Sequence, residues 1–160
     1  MRITTIGAGY VGLVSGACLA DFGHSVICVD VDAGRIDALR TGKVPIFEPG
    51  LDAIVADNVA AGRLSFSTDT NASIGESDVV IIAVGTPSRR GDGHADLTYV
   101  YAAARAIAPV LKGFTVVVTK STVPVGTGDE VERIIREVAP DTNFEVVSNP
   151  EFLREGAAIE

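Results

Sequence analysis

Eleven residues near the start, Arg2-Ile3-Thr4-Thr5-Ile6-Gly7-Ala8-Gly9-Tyr10-Val11-Gly12, constrain this chain more than any other stretch. A β-branched run meets glycines at 7, 9 and 12, and an apolar segment with helical spacing follows from 11 to 19, which reads as strand, tight turn and helix. Each glycine has a physical task in such a unit. Gly7 lets the chain turn off the strand, Gly9 lets backbone approach a pyrophosphate, and Gly12 lets the helix pack closely on the strand. The helix start would then aim free N–H groups and its positive dipole end at the phosphates.

Glycine-rich turns also occur in loops with no ligand, so the surrounding pattern carries the inference. Residues 25–29 read as a second buried strand ending on Asp30, 18 residues beyond Gly12. A carboxylate at about that distance accepts hydrogen bonds from a ribose diol and repels a 2′-phosphate, so NAD is expected rather than NADP. Asp32 is placed to cap a second helix, whose first turn carries Arg35. That arginine is suited either to contact with the adenosine or to a solvated helix face, and the sequence leaves both open.

Strand and helix patterns alternate along the rest of the chain. Helices are expected over 50–61, 96–111 and 128–138, with a brief helix or turn within 68–77. Strands are expected over 64–67, 78–84, 114–119 and 144–147. The uninterrupted apolar run at 79–84 suits the middle of a parallel sheet covered on both faces. The pattern predicts an α/β fold, a doubly wound parallel sheet of the Rossmann type with about six strands in the order 3-2-1-4-5-6. The loops after 85 and after 119 then leave strands at their carboxyl ends, where such sheets bind ligands. The polar loop 88–94, with Arg89, Arg90 and Asp92, reads as a surface connection.

At 160 residues and 47% hydrophobic, the chain suits one domain with a proper core. A net charge of −8 gives no electrostatic footprint for nucleic acid or an anionic membrane. No stretch has the apolar length of a membrane span or the pattern of a secretion signal, so a cytoplasmic protein is expected. Two cysteines, Cys18 and Cys28, read as buried reduced thiols, and with only two histidines no metal site is expected.

Four blocks resemble the NAD-binding domain of the UDP-glucose/GDP-mannose dehydrogenase family. They are Gly7-Ala8-Gly9-Tyr10-Val11-Gly12-Leu13, Glu48-Pro49-Gly50-Leu51, Lys120-Ser121-Thr122-Val123-Pro124-Val125-Gly126-Thr127 and Ser148-Asn149-Pro150-Glu151-Phe152-Leu153-Arg154-Glu155-Gly156. The last two are far more specific than the first. The resemblance implies an NAD-linked, four-electron oxidation of a sugar-nucleotide C6 alcohol to a carboxylate, with UDP-glucose favoured over GDP-mannose or a UDP-N-acetylhexosamine. It implies cofactor contacts at Gly7, Gly9, Tyr10, Val11, Gly12, Asp30, Arg35, Thr86, Pro87, Ser121, Thr122 and Glu155. It also implies contacts of Glu151, Phe152, Leu153, Arg154 and Glu155 with the sugar nucleotide.

Glu151 and Thr122 would be the catalytic residues, the carboxylate in proton transfer or water activation and the hydroxyl in holding a water or polarising the reacting oxygen. By its local spacing alone, Glu151 reads sooner as a cap, because Asn149-Pro150-Glu151 resembles a helix start, and only the resemblance turns the reading to catalysis. The family's nucleophilic cysteine lies in a region beyond Glu160, and neither thiol here is placed to replace it. The chain is therefore expected to be a truncated cofactor-binding domain whose full-length parent is a homo-oligomer. A β-hydroxyacid dehydrogenase, which shares the opening turn, and a free-standing NAD-binding module are the competing readings.

Overall fold

The computed structural model describes residues 1–89, 91 and 93–159. Arg90 and Asp92, named above in the 88–94 loop, lie outside the described residues, as does Glu160. Six strands form one parallel sheet: β1 (Arg2–Ile6), β2 (Ser25–Val29), β3 (Leu64–Ser67), β4 (Val79–Ile82), β5 (Thr115–Thr119) and β6 (Phe144–Ser148). Their order is β3-β2-β1-β4-β5-β6, as the alternating pattern predicts. Central β1 pairs with β2 on one side (Ile6 opposite Val29) and with β4 on the other (Ile6 opposite Ile82). Connections leave β1 and β4 in opposite directions, which opens a crevice at their carboxyl ends.

The helices are α1 (Tyr10–Asp21), α2 (Ala33–Arg40), α3 (Leu51–Ala60), α4 (Thr70–Ile74), α5 (Thr98–Ile107) and α6 (Thr127–Val138). They cover the sheet with two cores. Leu13, Val14, Ala17, Ile36, Leu39 and Leu51 pack with Val26, Phe66 and Ile81 on one face. Val100, Ala104, Ile107, Ile134 and Ile135 pack with Val80, Ile82, Val117 and Phe144 on the other. Neighbouring β4 residues thus point into opposite cores, which is why the strand reads as a continuous apolar run. A side chain such as Ile82 or Ile134, buried completely or nearly so, contributes roughly 2 kcal/mol by its removal from water.

Several boundaries differ from the sequence pattern for local reasons. β4 ends at Ile82 rather than at 84, where its neighbour Ala83 meets the backbone of the glycine turn. α5 begins at Thr98, after Asp96 has accepted the Thr98 N–H at 3.0 Å, and Pro109 turns its end into a short 3-10 segment, Ala108–Val110. α6 starts one residue early, at Thr127, behind Gly126 in the left-handed region. No helix starts at 149–151: the chain there is irregular, and Glu151 accepts the Leu153 N–H at 2.5 Å, capping a turn. No helix among the described residues is long and apolar enough to cross a membrane.

Candidate functional site

The three glycines of the opening turn divide by what surrounds them. Gly7 has φ 100°, and a Cβ there would lie 2.5 Å from Ala83 O. A Cβ on Gly12 would lie 1.8 Å from Gly7 O, so α1 can approach β1 only without a side chain. Gly9 differs: its φ is −74°, which any residue can adopt, and nothing in the protein lies within 4 Å of a Cβ built there. The protein's own backbone requires glycine at 7 and 12, whereas at 9 the space beside the turn is open. α1 starts at Tyr10 with no side-chain cap and no acid in its first turn, and its first backbone bond runs from Leu13 N to Gly9 O at 2.9 Å. The N–H groups of Tyr10, Val11 and Gly12 precede that bond and are available to an anion.

Asp30 stands beside this turn at the end of β2 and is 8% exposed. One carboxylate oxygen accepts the Ala8 N–H and the Arg35 guanidinium, both at 2.8 Å, and the other accepts the Asp32 N–H at 3.0 Å. Burial alone would raise the Asp30 pKa, but the Asp32 and Ala8 amides and the Arg35 charge outweigh it and hold the group below the usual carboxylate range. It is therefore an ionised acceptor, fit for a pair of hydroxyls and hostile to a phosphate. Asp32 caps α2 by accepting the Arg35 N–H at 3.1 Å, which presents the Arg35 side chain to Asp30. The two readings left open for Arg35 resolve in part: it docks on the carboxylate at the crevice wall and is not simply a solvated helix charge.

The loops after β4 and β5 close the crevice from the other side. Lys120 N and Ser121 N both reach Ile82 O, Ser121 Oγ donates to Val84 O at 2.7 Å, and Thr86 Oγ1 donates to Thr122 O at 3.1 Å. Pro87 and Thr122 are exposed beyond this lacing. Residues 151–155 leave β6, an edge strand, yet return towards the sheet centre: Leu153 packs on the α1 core, and Tyr10 Oη donates to Arg154 O at 3.3 Å. Phe152 is 94% exposed, Arg154 and Glu155 are exposed, and Glu151 is half-buried.

Sequence reasoning did not assign Glu48 to the site. It is 6% exposed and accepts Tyr10 Oη as well as the N–H groups of Gly156 and Ala158, each of the two amides at 2.8 Å. The Tyr10 hydrogen bond lowers its pKa most, burial opposes, and the amides add to the lowering. Its place in the Glu48-Pro49-Gly50-Leu51 block marks it, but its donors lie 38 to 110 positions away and leave no local signal.

An apolar cavity of about 600 Å³ lies behind the 151–155 segment, between the flank of α1 (Cys18, Leu19) and the β5–β6 side (Val118, Val147), with Leu153 and Ala158 in its wall. Its few polar groups do not make a nucleotide seat. Cys18 is half-buried and Cys28 buried, both free, and no metal-binding cluster occurs among the described residues.

Residues 1–160 match the model of the UDP-glucose/GDP-mannose dehydrogenase family, NAD binding domain, over their whole length. The chain belongs to that family. A UDP-glucose 6-dehydrogenase of Rhizobium meliloti (strain 1021) is 74% identical over 160 residues, covering 100% of this chain and 37% of the relative. A solved ternary complex of GDP-mannose dehydrogenase from Pseudomonas aeruginosa superposes with a TM-score of 0.95 at 42% identity, over 99% of this chain and 38% of that one. The UDP-glucose dehydrogenase of the archaeon Pyrobaculum islandicum gives a TM-score of 0.93 at 42% identity, over 99% and 37%. The chain thus spans little more than a third of these relatives. Its match to the family's NAD-binding domain agrees with the open turn at Gly9 and the ionised Asp30, and it favours the sugar-nucleotide reading over a β-hydroxyacid dehydrogenase.

Proposed function

We propose that this chain is the cofactor-binding domain of a longer sugar-nucleotide 6-dehydrogenase, which oxidises UDP-glucose to UDP-glucuronate with two NAD. The observation that carries the cofactor part is the contrast among the glycines: the space a side chain would take at position 9 is left to a ligand, beside uncapped amides and an anchored carboxylate. The 74% identity to a UDP-glucose 6-dehydrogenase supports UDP-glucose over GDP-mannose, which the 42%-identical Pseudomonas enzyme is named for.

NAD supplies the hydride acceptor. The backbone from Gly7 to Gly12, including Tyr10 and Val11, holds its pyrophosphate, while Asp30 and Arg35 hold the adenosine ribose. Thr86, Pro87, Ser121, Thr122 and Glu155 border the nicotinamide side. The half-buried Glu151 carboxylate takes up a proton from the substrate alcohol or from a water, and the exposed Thr122 hydroxyl, able to donate and accept together, orients that water. Glu151, Phe152, Leu153, Arg154 and Glu155 form the border to the sugar nucleotide. The whole protein is read as cytoplasmic and homo-oligomeric, with no nucleic-acid partner.

Titration calorimetry on the chain tests the cofactor half of this reading. NAD is expected to bind and NADP to bind far more weakly, and equal affinity for the two would overturn the role given to Asp30. Mixing the chain with NAD and UDP-glucose is expected to give no sustained rise in reduced cofactor, whereas the longer protein turns over. Steady turnover by the 160-residue chain would refute the division of labour.

A further inference from the structure

Glu48 presents a physical puzzle. It is a carboxylate with 6% exposure and a lowered pKa, and among the described residues no lysine or arginine pairs with it. A carboxylate withdrawn from water is disfavoured unless hydrogen-bond donors replace the lost water. Here the donors are Tyr10 Oη and the Gly156 and Ala158 amides, with the Ile159 amide adding to them, gathered from distant parts of the chain. Gly156 N also lies 3.2 Å from Tyr10 Oη, so hydroxyl, carboxylate and amide close a small ring.

Both sides of that ring belong to ligand-facing segments. Tyr10 is the first residue of α1, next to the open Gly9, and its ring hydroxyl is held by Glu48. Gly156 and Ala158 directly follow 151–155. Among the described residues, the one polar contact tying the 151–155 backbone to another element is Tyr10 Oη with Arg154 O at 3.3 Å, a weak share of the single hydroxyl proton that the shorter Glu48 bond takes. Phe152, 94% exposed, adds no packing, and Glu151 bonds only to the nearby Leu153 amide. Leu153, packed on the α1 core, is the other hold on this segment, and its hydrogen-bonded register against the glycine turn is set just downstream, at the carboxylate.

We propose that Glu48 is a positioning residue: through Tyr10 and the Gly156 and Ala158 amides it fastens the 151–155 loop to the start of α1, so that the sugar-nucleotide loop and the dinucleotide turn share one anchor. This rests on the reading of 151–155 as the sugar-nucleotide border. An apolar residue could fill the same space, but it could not hold the Tyr10 hydroxyl and these amides in fixed directions.

The test uses the longer protein with E48Q and Y10F variants, and two measurements. The first is amide hydrogen exchange. Replacing the charged acceptor by a neutral amide oxygen weakens these bonds, which corresponds to about tenfold or more in exchange. E48Q is therefore expected to speed exchange at Gly156 and Ala158 by at least that factor, with β1 and β4 unchanged. The second is steady-state kinetics. E48Q is expected to raise the UDP-glucose KM about fivefold or more and lower kcat, while the NAD KM moves less than about twofold because the turn's backbone keeps its own bonds to β2 and within α1, a split that uniform loss of folded protein does not produce.

Unchanged exchange at Gly156 and Ala158, or equal losses for both substrates, overturns the proposal. Should E48Q fail to fold, Y10F decides: it removes one donor from the ring, and unchanged exchange at 154–158 then overturns it. If the unsubstituted protein does not oxidise UDP-glucose, the functional reading fails, and the exchange result still decides whether Glu48 holds the loop.

Discussion

Replacing Gly9 and Gly12 by alanine, one at a time, separates the two demands that the opening turn combines. A methyl at Gly12 would sit 1.8 Å from Gly7 O and 3.3 Å from the Ala83 Cβ. The first contact is with backbone, so the start of α1 must withdraw by about 1 Å, and overpacking of this kind typically costs 1–3 kcal/mol, with more expected where backbone must move. G12A is thus expected to lose about 3 kcal/mol of stability, and NAD binding with it, because the N–H groups retreat from the phosphates. At Gly9 a methyl meets nothing within 4 Å, and φ is −74°. G9A should stay within about 1 kcal/mol of the parent in stability, because the lower freedom of alanine in the unfolded chain offsets its poorer fit at the N-cap of α1. Its NAD affinity should nevertheless fall by about tenfold or more, equivalent to about 1.4 kcal/mol, because the methyl fills the space left for the pyrophosphate. Urea unfolding followed by circular dichroism, paired with calorimetry of NAD binding, reads both quantities. A G9A chain that binds NAD as well as its parent, or a G12A chain equally stable, would refute the reasoning.

D30N should weaken NAD binding and cost about 1–3 kcal/mol at neutral pH, since the Ala8, Asp32 and Arg35 donors lose a charged acceptor. Because the folded pKa of Asp30 lies below its unfolded value of about 3.9, its stabilisation is full above that value and is lost as pH falls through the folded pKa. The gap between parent and D30N, read from urea midpoints, should therefore close only below about pH 4. Burial pushes the Cys28 thiol up to about 11, so in native protein a thiol reagent at mildly alkaline pH should modify half-buried Cys18 first and reach Cys28 only as the chain opens. Mass spectrometry of partly labelled chain gives the order. Thr119 Oγ1 is buried with no hydrogen-bond partner among the described residues, so T119V should raise stability by about 1 kcal/mol in the same urea assay.

Local pattern determined a great deal of this molecule by itself. The β1 run, the glycines and the apolar face of α1 are adjacent in the chain, and strands alternating with helices around a dinucleotide-binding turn imply a doubly wound sheet, so the strand order followed from local pattern. Asp32 capping α2 was equally legible, because cap and helix are neighbours. Three features needed the tertiary structure. The roles that spacing assigns to glycines 7, 9 and 12 acquire their physical basis only in space, where Ala83, arriving from β4, and Gly7's own carbonyl crowd positions 7 and 12 and leave position 9 open. The stretch 149–151 carries the marks of a helix start, yet Leu153 packs on the α1 core and the following amides go to Glu48, contacts that compete with helical turns. Glu48 became visible only when residues more than a hundred positions apart met around it: a buried charge is defined by donors that surround it in space, and periodicity carries no record of them.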